Sequence, residues 1–182
     1  FAITYVRIWK NITPYGATVY DVAKYWRQNM KSVQYDAVHF LSGSSSAGGG
    51  VAARIGGICS DSGSFARSSL NLDFKSATVY SYDLFVVSHE FGHVFGSAHT
   101  HSCLWRDGQI DNCGPTESGP CTFTKPKPLK GTIMSYCSQT SIGVALEFHP
   151  MCKQMIRTFL ERSACTGNPA NAEYTHALRG NV

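Results

Sequence analysis

The sequence predicts a mixed α/β fold of the α+β kind, and three observations carry that reading. Strand-like and helix-like patterns alternate from the start of the chain to His99, which argues for a layered half-domain. From Ser102 to Gly131 the chain becomes rich in proline and glycine and loses any apolar period, which predicts a long irregular segment. One amphipathic pattern then resumes after Pro150. At 182 residues and 43% hydrophobic content, the chain can bury one real core, and it shows no internal repeat.

In order, Phe1 to Trp9 is rich in β-branched and aromatic residues and predicts a strand. Thr18 followed by Asp21 makes a capping-box start. Val19, Val22, Ala23, Trp26 and Met30 then form the stripe of a helix reaching about residue 31. Ala37 to Leu41 predicts a short apolar strand. Ser42 to Gly50 is a serine- and glycine-rich loop. A phosphate cradle would need a following Lys-Ser/Thr pair or a Gly-x-Gly-x-x-Gly pattern, and neither is present. Val51 to Ile55 predicts a strand closed by Gly56-Gly57, residues 59–76 an irregular stretch, and Thr78 to Tyr80 a brief strand. A helix opens near Ser81 to Asp83. The segment 102–131 is long enough to require bracing or a function. Pro150 suits a first helical turn, with Met151, Met155, Ile156, Phe159 and Leu160 on its core face. Residues 166–182 form a polar tail.

The chemistry concentrates in His89-Glu90-Phe91-Gly92-His93-Val94-Phe95-Gly96-Ser97-Ala98-His99. On a helix, His89 and His93 lie about 40° apart on one face, with Glu90 on its flank. Leu84, Val87, Phe91, Val94 and Phe95 fall on the opposite arc. Two imidazoles one turn apart can direct nitrogens to one zinc ion. Gly96 can take φ > 0, ending the helix and bringing His99 round as a third ligand. Three protein ligands leave a fourth position open, the pattern of a catalytic zinc site.

The spacing His-Glu-x-x-His-x-x-Gly-x-x-His resembles the signature of the metzincin zinc endopeptidases, and Gly131-Thr132-Ile133-Met134-Ser135-Tyr136-Cys137 resembles their methionine turn. Tyr5 to Asn11, Ile55-Gly56-Gly57-Ile58-Cys59 and Phe148 to Cys165 resemble elements of the adamalysin (reprolysin) branch. The likeness implies a mixed twisted sheet with an active-site helix, then an irregular disulfide-braced lower half and a C-terminal helix, over residues 1–165. Thr100 stands where that branch usually has aspartate. The spacing Met134-x-Tyr136 is typical of astacins and serralysins. Family domains begin with a strand and long helix upstream of where Phe1 falls, and the calcium site of some members draws partly on that portion. The chain, which lacks an initial methionine or leader, reads as a processed or partial product.

The resemblance implies a secreted zinc metalloendopeptidase. Zinc held by His89, His93 and His99 would activate a water, and Glu90 would take its proton and pass it to the leaving amine. Backbone around Ala52 to Gly56 would pair with an extended protein or peptide substrate. Val144 and its neighbours would shape the pocket for the residue after the cut. Tyr136 would ligate zinc at rest and donate to the oxyanion, or else be an aromatic packed beside Cys137. His101 could in principle replace His99, although the offset from Gly96 fits His99. His149 reads as a capping or surface histidine. By the same likeness Cys59 pairs with Cys165, Cys103 with Cys137 and Cys113 with Cys121. Cys152 is then left over, or takes Cys103 and leaves Cys137 free.

Seven cysteines without a Cys-x-x-Cys pair point to disulfides and an oxidising compartment. The acceptor pattern Asn11-Ile12-Thr13 is followed by Pro14 and adds little. The net charge of +4, with Lys125, Lys127 and Lys130 in one proline-rich loop, suggests a solvated patch, and no nucleic-acid module is visible. No apolar run of about 18 residues spans a membrane. A monomer fits these features. The rival class, a catalytically silent binding module on the same fold, would be marked by loss of Glu90, which is present.

Overall fold

The computed structural model describes residues 2–9, 18–43, 48–73, 75–76, 79–126 and 128–166. Helix α1 (Val19–Asn29) starts on a complete capping box between Thr18 and Asp21. Strands β1 (Val38–Ser42), β2 (Gly50–Ala52) and β3 (Phe65–Ser69) make a mixed sheet in the order β1-β3-β2, with β3 parallel to β1 and antiparallel to β2. Helix α2 (Tyr82–Val94) follows an N-cap at Ser81, whose side chain accepts from Leu84 N–H. A 3₁₀ turn at Tyr136–Gln139 and helix α3 (Pro150–Arg162) complete the chain.

The sheet is the middle layer. Side chains along β3 alternate between its faces. Phe65 joins Val19, Val22, Ala23, Trp26 and Met30 of the α1 region, whereas Ala66 joins Val94 and Phe95 of α2. The stripe expected on α1 is therefore the buried one. Helix α2 differs from expectation. Its buried residues include Phe85, Val86, His89, Glu90, His93 and Val94, while Leu84, Val87 and Phe91 are half-buried. Wedged between the sheet and the lower half, this helix has no fully solvated face, so no single apolar arc marks its core side.

Further corrections concern strands. Among the described residues, 2–9 pair with no strand. They lie as a strap, with Tyr5 edge-on to Trp26 and Trp9 against Tyr25 and Phe40, so their aromatics serve packing rather than a ladder. Within 59–76, expected to be irregular, Phe65–Ser69 is the central strand and is buried throughout. Its composition, with serines and an arginine, hides it from a hydrophobic pattern. Strand β2 is shorter than expected: after Ala53 N–H donates to Phe65 O the chain leaves the sheet, and Gly56 N–H donates instead to His93 O of α2. Thr78 lies outside the described residues, and Val79 and Tyr80 form no strand. The acceptor pattern at Asn11 and the tail beyond 166 also lie outside them.

The irregular lower half is braced as expected but with different partners. Cys59–Cys165 forms as foreseen, and Cys152 is free and buried. Cys103 pairs with Cys121 and Cys113 with Cys137, correcting the Cys103–Cys137 and Cys113–Cys121 scheme. Local backbone bonds explain the exchange. Cys103 N–H donates to Glu117 O at 2.9 Å and the 102–117 bridge carries Cys103 toward 121. Ile110 N–H donates to Thr100 O at 2.7 Å, which turns Cys113 toward the 3₁₀ turn.

Candidate active site

Helix α2 ends in a full Schellman motif. Gly96 N–H donates to His93 O at 2.9 Å and Ser97 N–H to Gly92 O at 2.8 Å, with Gly96 at φ +103°. A side chain at 96 would also meet the Phe159 ring at 2.7 Å, and one at Gly56 would meet the same ring at 2.6 Å. Phe159 of α3 thus seals the turn that reverses the chain toward His99.

That turn brings three rings together. His99 Nε2 lies 3.1 Å from His89 Nε2 and 3.0 Å from His93 Nε2. Each ring's other nitrogen is engaged. His89 Nδ1 is 2.6 Å from Ile133 O, His93 Nδ1 is 2.8 Å from Ser97 O, and His99 Nδ1 is 2.9 Å from Glu117 Oε2. These partners are all acceptors, so each ring carries its proton on Nδ1. With that tautomer three Nε2 lone pairs converge, an arrangement that could hold a metal ion. Burial lowers the pKa of all three rings, that of His93 to about 4, with the neighbouring histidines adding to the effect. The rings are therefore neutral and able to bind metal at neutral pH. The donor set fits a tetrahedral nitrogen-ligated zinc with one open position.

Glu90 is 4% exposed. Burial pushes its carboxyl up to about 8, opposed by a hydrogen bond from the Ala52 backbone N–H. A side chain at Gly50 would fall 2.5 Å from Glu90 Cγ. The β2 pairing explains the contact. Ser69 N–H donates to Gly49 O and Ala53 N–H to Phe65 O, with Val51 opposite Arg67. Gly50 and Ala52 consequently turn their backbone groups outward, along the open edge.

The segment after Gly131 closes the site. Met134 is fully buried and fills the space that a side chain at Gly92 would need. Its carbonyl accepts from both Thr100 N–H (2.9 Å) and Thr100 Oγ1 (3.1 Å). The threonine thus straps this turn to the residue after His99. The Tyr136 ring centroid stands 4.5 Å from that of His99 and 6.1 Å from that of His89. Burial, then Glu117 and Glu90, raise its pKa, so the phenol keeps its proton. Val144 is buried with Leu70, Phe85 and Val86. His149 caps α3, its side chain accepting from Met151 N–H.

The structure therefore gathers His89, Glu90, His93, His99 and Tyr136 in one place. His101 is not among the three converging rings but lies behind them, stacked on His99. Sequence reasoning missed Glu117, which sits in the irregular loop 18 residues beyond His99. Its place between the bridged Cys103 and Cys121 is shared with Asp107 and Asp111 and does not single it out. Burial pushes its carboxyl up, but the hydrogen bond from His99 and the nearness of His101 prevail and hold it below the usual range.

The family model Reprolysin_5, described as metallo-peptidase family M12, matches residues 9–146. The chain belongs to the M12 metallopeptidases. No individual curated protein matches this M12 chain significantly. The match is in keeping with the mixed sheet, three helices and disulfides described above, and with a histidine triad able to hold a metal. M12 peptidases are typically zinc-dependent and act on protein substrates. Among the described residues no helix is long and apolar enough to cross a membrane.

Proposed function

We propose that this M12 metallopeptidase is a secreted, monomeric zinc endopeptidase that cuts extended protein segments. The observation that carries the reading is the convergence of His89, His93 and His99 Nε2 with every Nδ1 proton already committed. These three residues would hold the zinc. When bound, the metal supplies Lewis acidity toward water and the scissile carbonyl.

The remaining work belongs to the chain. Glu90, buried on the flank of α2, accepts the water's proton and delivers it to the leaving amine. Its place on the helix that carries His89 and His93, buried against the β2 edge, suits both transfers. The outward backbone of Gly50 and the Ala52 carbonyl offer the substrate an added strand beside that carboxylate. The Tyr136 phenol, protonated and next to His99, donates to the oxyanion that forms. Three disulfides among the described residues support an oxidising, extracellular setting.

The test is incubation of the zinc-loaded protein with a denatured protein substrate, with and without a zinc chelator and with Glu90→Gln as control. Cleavage that the chelator stops and the variant lacks supports the assignment. Intact substrate with zinc-loaded wild type would overturn it and leave a binding module on a peptidase fold.

A further inference from the structure

Behind the third histidine stands a second layer of polar groups. Glu117 uses one carboxylate oxygen to accept from His99 Nδ1 at 2.9 Å. Its other oxygen lies 3.1 Å from His101 Nε2. His101 is completely buried, with its ring centroid 4.8 Å from that of His99 and only 15° from parallel. A side chain at Gly114 would meet the His101 ring at 2.7–2.8 Å, so the loop backbone closes over it. Gln109 Nε2 donates to the His101 carbonyl at 2.5 Å. Neither ring nitrogen of His101 has a well-aligned hydrogen bond among the described residues. A fully buried imidazole with no other polar partner is costly, and Glu117 is the charged group within reach of its Nε2.

The first two histidines donate to backbone carbonyls, whose positions follow from the fold. His99 alone donates to a carboxylate, carried by a loop with no regular structure. We propose that Glu117 is a positioning residue for His99, and that buried His101 holds Glu117 in place through its second oxygen. This rests on reading the triad as the zinc site. A carboxylate on the far nitrogen fixes the ring's tautomer and orientation and makes the ligating nitrogen more basic. The bridge between Ser102 and Glu117 and the Cys103–Cys121 disulfide hold the loop backbone at this height. The side chain is thereby free to act on His99 rather than on the loop's own fold.

The experiment measures zinc affinity of the full chain by competition with a chelator, and the visible absorption of the cobalt(II)-substituted protein. Wild type should bind one ion. Glu117→Gln keeps the volume and one acceptor but loses the charge, and should bind zinc about 10- to 100-fold more weakly with shifted cobalt bands. His101→Phe keeps the stack and removes the nitrogens, and should weaken binding in the same direction. The double variant should be no weaker than Glu117→Gln alone, because His101 acts through Glu117. If Glu117→Gln fails to fold, His101→Phe alone decides, by its affinity and its cobalt bands. Unchanged affinity and bands in the variants would overturn the proposal. Two ions per wild-type chain, with the second lost in both variants, would overturn it by making Glu117 a ligand. A wild type that binds no zinc removes the triad reading itself and the positioning role with it.

Discussion

The Glu90 carboxylate accepts a hydrogen bond from the backbone N–H of Ala52, so the buried acid of α2 and the open edge of β2 share one contact. An extended segment added to that edge would lie against the proton carrier. Gly50, two residues earlier, leaves the room for this meeting, since a side chain there would fall 2.5 Å from Glu90 Cγ.

Gly50→Ala should therefore displace Glu90 while leaving the three histidines untouched. Peptide hydrolysis should fall about 10²-fold, as for a catalytic group moved by about 1 Å, with one zinc still bound. Rates measured beside zinc content check this. Wild-type turnover in Gly50→Ala would show that the edge and the carboxylate are not coupled.

Tyr136→Phe should lower kcat and kcat/KM together by about 10²–10³, the cost of one oxyanion donor, with KM almost unchanged and zinc retained. Steady-state kinetics on a defined peptide decide. An unaltered kcat would make Tyr136 a packing residue beside His99 and His101.

His39 supplies an acid-sensitive site in the sheet. Its Nε2 sits 2.8 Å from Ser68 Oγ, its ring packs on Phe91, and burial lowers its pKa to about 4. The unfolded chain takes up the proton near pH 6.5 and the folded one only near 4. The stability from a neutral His39 is thus complete above about pH 6.5 and is lost as pH falls through 4. The shift amounts to at most about 3 kcal/mol. Between pH 7 and 4, wild type should lose more stability than His39→Gln by up to this amount, read from urea midpoints. Parallel losses in the two proteins would contradict it.

Cys152 is buried, and burial pushes its thiol up to about 11. In the folded protein it should resist alkylation at pH 8, because little thiolate forms and access is closed. One thiol per chain should become reactive when the protein unfolds in denaturant. Rapid labelling of the native protein would contradict this placement.

The zinc motif was legible because helical spacing and one glycine suffice to place three imidazoles. Strand β3 was not, since a centre strand reading Phe65-Ala66-Arg67-Ser68-Ser69 takes its burial from both neighbouring helices rather than from its own polarity. The bridges of Cys103 and Cys113 were misassigned for a related reason. Their partners follow from backbone bonds at Glu117 and Thr100, in a segment without periodicity. Glu117 is the sharpest case. Nothing in its neighbours marks it, and only the folded loop sets its carboxylate on His99.

Phe159 fills the space that side chains at Gly56 and Gly96 would otherwise take, and it belongs to the last helix. During synthesis all three histidines emerge well before this ring does. A growing chain therefore carries the complete ligand set with the turn before His99 still unsealed. On the proposed zinc reading, the site would be sealed only once α3 has docked on that turn.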